Sequence, residues 1–316
     1  MEFLEVKNEI SKVKKNIEQV IIGKQDVIEL VLTTLLAGGN VLLEDVPGTG
    51  KTMLSKSLAK SIHGQFSRIQ FTADLLPSDV TGLHFYNQKQ GEFTLQKGPV
   101  FANILLADEI NRATPRTQSS LLECMEEHQV TLDGETLELP VPFMVIATEN
   151  PVETAGTFPL PEAQLDRFMM KLSMGFPEFS DELEMMERFI MDTPLEKLQP
   201  VLSVERLVEM QQSIFAVHVE KEVREYLLRI VEATRKHRKL RMGVSPRGTL
   251  ALLRACQAYA AICGREYVIP EDVKYLAPYV LEHRLILAGN YIGDNQQGGL
   301  IREILETIPV PTENFN

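Results

Sequence analysis

Residues 47–52, Pro-Gly-Thr-Gly-Lys-Thr, constrain the fold of this chain more than any other stretch. They follow a short apolar run at 40–43 and precede a segment, 53–62, whose composition suits a helix. In such a context glycines let the backbone curl so that its N–H groups face phosphate oxygens, and the helix N-terminus adds a partial positive charge. The pattern therefore predicts a phosphate-binding loop between a strand and a helix.

Two side chains of this loop have predicted roles. Lys51 is expected to reach the β- and γ-phosphates of a nucleotide, and the Thr52 hydroxyl to ligate Mg²⁺. One departure stands out, since the full pattern has Gly five residues before Gly50 and this chain has Asp45. The residues predicted here to bind the nucleotide are Val46, Pro47, Gly48, Thr49, Gly50, Lys51, Thr52 and Met53.

Size and charge narrow the class of protein. A chain of 316 residues favours about two domains. A formal net charge of −12 disfavours non-specific nucleic-acid binding, which needs Lys and Arg. Three cysteines argue for a reducing compartment. With no apolar run of about 18 residues and no signal-peptide pattern at the N-terminus, we expect a cytoplasmic protein.

Five apolar runs predict the strands of one sheet. They lie at residues 41–44, 66–71, 103–107, 143–148 and 168–173. Most are almost continuously hydrophobic, as strands buried on both faces are, and helical patterns separate several of them. The fold class predicted is α/β, with a mainly parallel sheet between helices.

The pattern changes after residue 175. Apolar residues recur at helical spacing between 223 and 234, and Ser245-Pro246 is a typical helix start. No further buried strand is evident. We predict a nucleotide-binding core at 1–175, beginning with a short helix, a proline-containing linker at 176–200 and an all-α helical lid at 201–316.

Two segments within the core interrupt the strand–helix alternation. Residues 81–100 carry aromatic side chains around Gly91, and residues 130–139 alternate apolar and polar side chains on both sides of Asp133-Gly134. Both predict β-hairpins, the second by a strong short-range signal. The hairpins are either exposed decorations or protrusions that touch a partner or substrate.

Polar side chains follow the third and fourth predicted strands. Asp108 is expected to hold Mg²⁺ through water, and Glu109 to polarise the attacking water. Asn150 could orient that water and sense the γ-phosphate, although Asn before Pro is also an ordinary turn former. Arg167 and Arg247 could stabilise charge on the transferring phosphoryl group, the alternative for each being a surface ion pair.

In combination these motifs resemble the AAA+ ATPases and, within them, the MoxR group. The resemblance covers nearly the whole chain. It rests on residues 42–52, on 108–113 (Asp-Glu-Ile-Asn-Arg-Ala), on 147–151 (Ala-Thr-Glu-Asn-Pro), on 160–168 (Leu-Pro-Glu-Ala-Gln-Leu-Asp-Arg-Phe) and on 243–247 (Gly-Val-Ser-Pro-Arg).

The resemblance implies roles for individual residues. Asn150 would be sensor 1, and Arg167 the arginine finger that acts on ATP in the adjacent subunit. Arg247 would be sensor 2, reaching the γ-phosphate from the lid of its own subunit. Ile22 and Gly23 would lie near the adenine. The two hairpins would correspond to the helix-2 insert and the pre-sensor-1 hairpin of this clade.

It also implies an activity and partners: hydrolysis of ATP to ADP and phosphate with Mg²⁺, in a ring that is usually a hexamer. The work would be chaperone-like remodelling, maturation or activation of client proteins, often with a von Willebrand factor A domain partner. Two alternatives are a metal-chelatase-type or other AAA+ motor subunit, and a nucleotide-switched scaffold with little turnover. Glu109 argues against the scaffold, because a pure binder needs no residue that activates water.

Overall fold

The computed structural model describes residues 2–89, 91–151, 156–191, 193–289 and 296–311. The strands are β1 (Val41–Glu44), β2 (Phe66–Gln70), β3 (Gly82–Asn87), β4 (Glu92–Lys97), β5 (Ile104–Asp108), β6 (Gln129–Leu132), β7 (Glu135–Glu138), β8 (Met144–Glu149), β9 (Met170–Leu172), β10 (Leu240–Met242) and β11 (Ile286–Leu287). The helices before β9 are α1 (Phe3–Glu18), α2 (Gln25–Leu36), α3 (Lys51–Ser61), α4 (Pro77–Thr81), α5 (Pro115–Glu127) and α6 (Glu162–Leu165). Those after it are α7 (Phe179–Met191), α8 (Pro194–Lys197), α9 (Val204–Ser213), α10 (Lys221–Lys236), α11 (Pro246–Ile262), α12 (Pro270–Leu281) and α13 (Gln296–Thr307).

The predicted α/β fold class is confirmed by a five-stranded parallel sheet in the order β2-β5-β8-β1-β9. Alternate residues of each central strand enter two separate hydrophobic clusters, one on each face, so Leu43 and Leu106 pack on one side and Leu42 and Leu105 on the other. Because all strands run the same way, their carboxyl ends share one edge. Ligands of open α/β sheets bind at that edge.

Both predicted hairpins are present. Strand β3 pairs with β4, and β6 pairs with β7 around Asp133-Gly134. The His84 imidazole contacts the Asp133 carboxylate at 3.0 Å, which joins the first hairpin to the turn of the second. Tyr86 and Phe93 pack edge to face yet stay 55% and 72% exposed. The two hairpins are therefore in contact, and the first exposes an aromatic pair on its strands next to the turn.

The lid is mainly helical, as predicted, and contains one short antiparallel pair, β10–β11, that the sequence reading missed. Helix α11 starts where Ser245-Pro246 predicts, with the Ser245 hydroxyl accepting a hydrogen bond from Gly248 N at 3.1 Å. Helices α1 and α2 pack against α11, and one continuous hydrophobic cluster runs from the sheet through these helices into the lid. The limits given for core and lid remain a prediction.

Residues 176–200, predicted as a linker, contain helices α7 and α8. Helix α7 is fixed by the Arg188 guanidinium, which donates to the carbonyls of Glu18 and Gln19 at 2.8 and 3.0 Å. Its apolar side chains include Phe179, 87% exposed, and Ile190, 75% exposed. The prolines around it led to the linker prediction, although they lie outside the helix. In the described part of the chain, no helix combines the length and apolarity needed to cross a membrane.

Candidate active site

A cavity of about 420 Å³ opens at the carboxyl edge of the sheet, next to the loop between β1 and α3. That volume lies within the range of small-molecule binding pockets. It is lined by Asp45, Pro47, Gly48, Thr49, Gly50, Lys51, Thr52, Met53, Arg68, Gln70, Asp108, Glu109, Thr148, Glu149 and Asn150. The structure thus brings together the loop, both predicted acids and Asn150.

Backbone geometry explains why the loop can curl around a phosphate. Gly48 and Gly50 have φ of +85° and +93°, values that side chains larger than Gly rarely adopt. Gly50 directly precedes α3, so the first N–H groups of this helix face the cavity. Sequence and conformation agree here, because glycine stands where left-handed backbone is required.

The Lys51 ammonium group lies inside the loop. It donates to the carbonyls of Asp45 and Val46 at 2.9 and 3.1 Å. Burial lowers the pKa of Lys51, while the charges of Asp45, Asp108 and Glu109 oppose that shift. The Val46 carbonyl is therefore one of the two acceptors that hold the Lys51 ammonium group. A phosphate group in the cavity offers Lys51 a charged partner in place of two neutral carbonyls.

Asp45, which departs from the expected glycine, has a structural role. Its carboxylate accepts hydrogen bonds from the Ser173 hydroxyl at 2.9 Å and from the backbone N–H groups of Met174 and Gly175 at 2.5 and 3.0 Å. The residue is only 6% exposed. Asp45 therefore ties the start of the phosphate-binding loop to the segment that follows β9, and leaves the cradle itself to residues 47–52.

Asp108 is held by two residues that the sequence reading missed. The Thr148 hydroxyl donates to Asp108 Oδ1 at 2.7 Å, and the Arg68 guanidinium donates to Oδ2 at 2.7 Å. Thr148 also accepts a hydrogen bond from Glu109 N at 2.8 Å. The parallel pairing of β8 with β5 explains the contact between Thr148 and Asp108. Ala147 is the partner of Ala107, so the next residues on the two strands, Thr148 and Asp108, lie side by side.

Glu109 has a left-handed backbone, with φ of +55°. Such a conformation is unusual for a residue with a side chain and typically occurs at functional sites. The Gln70 amide donates to Glu109 Oε2 at 2.7 Å, and Arg112 Nε lies 3.0 Å from the same oxygen. The carboxylate is thus oriented from two sides within the cavity lining.

The end of β8 contributes two further polar side chains. Asn150 lines the cavity and is 6% exposed. Glu149 lies beside it, and burial raises the pKa of Glu149 to about 7, with Lys171 opposing the shift and Glu44 adding to it. Glu149 is a cavity residue that the sequence reading quoted only as part of a motif.

The residues predicted to hold Mg²⁺ fit a hard cation. Thr52 and Asp108 line the same cavity and offer a hydroxyl and a carboxylate oxygen. Mg²⁺ prefers oxygen ligands, and it commonly takes one or two carboxylates together with substrate phosphates and waters. Arg68 neutralises Asp108 in this structure and is 47% exposed at its side chain, so it can move aside for a cation.

Two predicted adenine contacts lie outside this cavity lining. Gly23 has φ of +71°, and a Cβ there would lie 1.9 Å from the Asp181 carboxylate of α7. Ile22 precedes it in the same turn. Lys24 Nζ donates to the Phe176 carbonyl at 2.8 Å. In the described residues the Ile22–Gly23 turn therefore packs against α7, and its contact with adenine stays a prediction.

The two predicted arginines meet on one carboxylate away from the cavity lining. Arg167 NH2 lies 3.2 Å from Glu126 Oε2, and Arg247 NH2 lies 3.0 Å from Glu126 Oε1. Arg167 also donates to the Leu122 carbonyl at 2.7 Å. Arg247 is not among the residues that line the cavity, and its expected contact with the γ-phosphate of its own subunit stays a prediction. The start of α11 lies beside the end of α5.

Two parts of the chain match known protein families. Residues 40–170 match the family described as ATPase family associated with various cellular activities (AAA), and residues 232–305 match the AAA lid domain. Together, fold and site define a P-loop ATPase with a helical lid.

Relatives narrow the class further. The Bacillus subtilis protein YeaC is 50% identical over 305 residues, 96% of this chain and 95% of that protein. The Mycobacterium tuberculosis protein Chaperone MoxR1 is 41% identical and covers 94% of this chain, with 81% of its own length matched. A Cytophaga hutchinsonii protein of known crystal structure has a sequence 39% identical to this chain. Its structure superposes with a TM-score of 0.91, over 98% of this chain and 97% of that one. The chain belongs to the MoxR family of chaperone-like AAA+ ATPases.

Proposed function

We propose that this ATPase works as a Mg²⁺-dependent ring, a hexamer, which remodels or activates client proteins in the cytoplasm together with a von Willebrand factor A domain protein. The observation that carries the ring is the position of Arg167 and Arg247. Both lie on Glu126, outside the cavity lining of their own chain. A pocket whose two predicted phosphate-sensing arginines lie elsewhere in the chain is completed when a neighbour supplies them.

Within one subunit, the chain's own residues perform the binding and the proton transfer. The loop N–H groups and Lys51 bind the phosphates. Thr52 and Asp108 would hold Mg²⁺, which supplies charge neutralisation at the β- and γ-phosphates. Glu109, oriented by Gln70 and Arg112, accepts the proton of the attacking water.

The arginines serve the neighbouring subunit. Arg167 stabilises charge on the transferring phosphoryl group of the next subunit, and Arg247 acts beside it from the same face. Both release Glu126 to do so. A half-exposed ion pair is worth about 0–1 kcal/mol, so the exchange of a carboxylate for a phosphate is readily made.

The joined hairpins are the part of the molecule that contacts the client. Tyr86 and Phe93 are exposed next to the turn of the first hairpin, and exposed aromatic side chains are frequent anchors in protein recognition. The Tyr86→Ser/Phe93→Ser double variant should keep basal ATP hydrolysis and lose ATP-dependent reactivation of a denatured model enzyme. Unimpaired reactivation would show that Tyr86 and Phe93 do not contact the client.

The ring is tested by the ATPase rate per subunit at increasing protein concentration, with Mg²⁺ present. We expect the specific activity to rise with assembly, and Arg167→Ala to abolish the rise while ATP binding by dilute chains is kept. A constant specific activity at dilutions where mass measurement finds only monomers would contradict completion by a neighbour. The partner is tested by binding of a purified von Willebrand factor A domain protein from the same organism.

A further inference from the structure

We infer that Asp166, Ser245 and Arg284 form a node that fixes the lid to the loop before β9, so that Arg167 and Arg247 reach the neighbour's nucleotide as one rigid pair. These three are positioning residues, and none of them is among the residues that line the nucleotide cavity. The inference rests on the proposed function, in which both arginines act on the adjacent subunit.

Arg284 is the buried centre of the node. Its side chain is only 2% exposed, and Nε lies 2.7 Å from Asp166 Oδ1. The same guanidinium donates to the backbone carbonyls of Asp166, Phe168 and Met169 at 3.1, 2.7 and 3.2 Å. Arg284 belongs to the lid, directly after α12, yet it holds the backbone on both sides of Arg167. Five donors in a fixed geometry make such a contact specific.

Ser245 connects the node to α11. Its hydroxyl donates to Asp166 Oδ2 at 2.8 Å while accepting from Gly248 N, so one side chain both caps the helix and binds the core. The packing is close, since a Cβ at Gly248 would lie 2.7 Å from Arg284 Cδ. The node therefore fixes the helix start two residues before Arg247.

Each of the two arginines lies close in sequence to a residue of the node, and both contact the same carboxylate. Arg167 follows Asp166, Arg247 follows Ser245, and both contact Glu126. A lid that turned relative to the core would break the Asp166 contacts and separate the pair. The movement that follows hydrolysis thus lies between subunits, with each lid held to its own arginine-bearing loop.

Asp166→Asn is the first test, because it removes the charge of Asp166 and keeps its size. We expect kcat to fall at least about 10-fold while KM for ATP changes less than about 3-fold, since the variant's own nucleotide pocket is intact. Asp272→Asn is the matched control: it weakens an Asp–Arg pair within the lid, with Arg265 at 2.6 Å, and should keep the parent kcat.

Ser245→Ala is the second variant and keeps the test decisive if Asp166→Asn fails to fold. It removes the hydroxyl shared by the helix cap and Asp166. Ser203→Ala removes the equivalent cap of α9, where the hydroxyl accepts only from Arg206 N at 3.2 Å. The loss of kcat should appear in Ser245→Ala and not in Ser203→Ala.

Mixed rings decide whether the defect lies in donated arginines. A Glu109→Gln subunit cannot hydrolyse ATP but still donates Arg167 and Arg247. Mixing it with Asp166→Asn, or with Ser245→Ala, should restore hydrolysis at the node variant's sites, just as mixing it with Arg167→Ala does. Mixing Asp166→Asn with Arg167→Ala should restore nothing, because neither subunit donates a working pair.

The outcomes separate the two proposals. Rescue of Arg167→Ala without rescue of the node variants would overturn the positioning role of the node and would still support the proposed ring. Failure to rescue Arg167→Ala would overturn donation to the neighbour, and the inference with it. Parent kcat in both Asp166→Asn and Ser245→Ala would also overturn the inference.

Discussion

The nucleotide pocket and the arginine face, made of Glu126, Arg167 and Arg247, are built in different ways. The pocket lies where one sheet edge and one glycine loop converge, and several hydrogen bonds, some of them part-buried, orient its acids. The arginine face joins the end of α5, the loop before β9 and the start of α11 through one partly exposed carboxylate. The acids of the pocket are thus held by several partners, whereas the side chains of Arg167 and Arg247, on a backbone fixed by the Asp166–Ser245–Arg284 node, share the Glu126 carboxylate.

This difference shows where assembly can regulate the enzyme. The hydrogen bonds of Asp108 and Glu109 all come from the same chain, through Arg68, Gln70 and Thr148. The arginines exchange partners at low cost, because exposed ion pairs contribute little. Under the proposed function, in which a neighbour supplies the arginines, control by assembly acts on the arginine face.

The largest effect is expected from Glu109→Gln, which disables the pocket and leaves the arginine face intact. An amide is a poor proton acceptor, so kcat should fall by about 10²- to 10⁴-fold while ATP still binds. Phosphate release and ATP titration on the same preparation measure both. Glu187→Gln, on the exposed α7, is the control, and a parent-like rate in Glu109→Gln would exclude Glu109 as the base.

Asp45→Ala tests whether the pocket is as firmly held as its contacts indicate. The Ser173 hydroxyl and two backbone N–H groups lose their acceptor, so the free energy of unfolding should fall by about 2–4 kcal/mol. Urea unfolding measures this loss. Ser173→Ala removes only one donor and should cost less. Equal stability of Asp45→Ala and the parent would show that the loop is held by other contacts.

Arg247→Ala tests the arginine face. Loss of one charged donor should lower kcat in assembled protein by about 10- to 100-fold and leave ATP affinity of dilute monomers unchanged. Arg224→Ala, at an exposed position of α10, serves as the control for loss of a lid arginine. Weaker ATP binding by dilute Arg247→Ala monomers would mean that Arg247 binds the nucleotide of its own subunit. The arginine face would then not be separate from the nucleotide pocket.

Glu149→Gln should give the smallest effect, seen in the pH dependence of stability. The folded chain holds the Glu149 proton more tightly than the unfolded chain, because burial raises the pKa from 4.5 to about 7. That contribution is complete below pH 4.5 and is lost as the pH rises through 7. The stability of Glu149→Gln relative to the parent should therefore increase by about 1–3 kcal/mol between pH 5 and 8 in urea unfolding. A pH-independent difference would mean that Glu149 ionises normally.

The elements that could be predicted from the sequence depend on local pattern. The five strands, both hairpins and the start of α11 follow from hydrophobic periodicity, Asp133-Gly134 and Ser245-Pro246. The grouping of Lys51, Asp108, Glu109 and Asn150 at one cavity follows from the shared carboxyl edge of parallel strands. Their catalytic roles remain predictions.

What could not be predicted depends on packing between distant segments. Nothing in the local sequence shows that Glu126 binds two arginines, because the residues are far apart along the chain and no periodicity links them. Arg68 and Gln70 stand on β2, and only the observed pairing of β2 with β5 puts them beside Asp108 and Glu109. Helix α7 was missed because prolines near both ends suggested a linker.

The packing of α1 and α2 on α11 has a consequence for synthesis. Helix α1 also packs on α3, which follows it early in the chain, yet α11, the partner that α1 and α2 share, begins only at Pro246. At a translation rate of 5–20 residues per second, roughly 10–40 s separate the emergence of the two surfaces from the ribosome. During that interval part of the apolar surface of α1 and α2 lacks its final cover, so nascent chains that terminate before α11 should aggregate more than full-length chains.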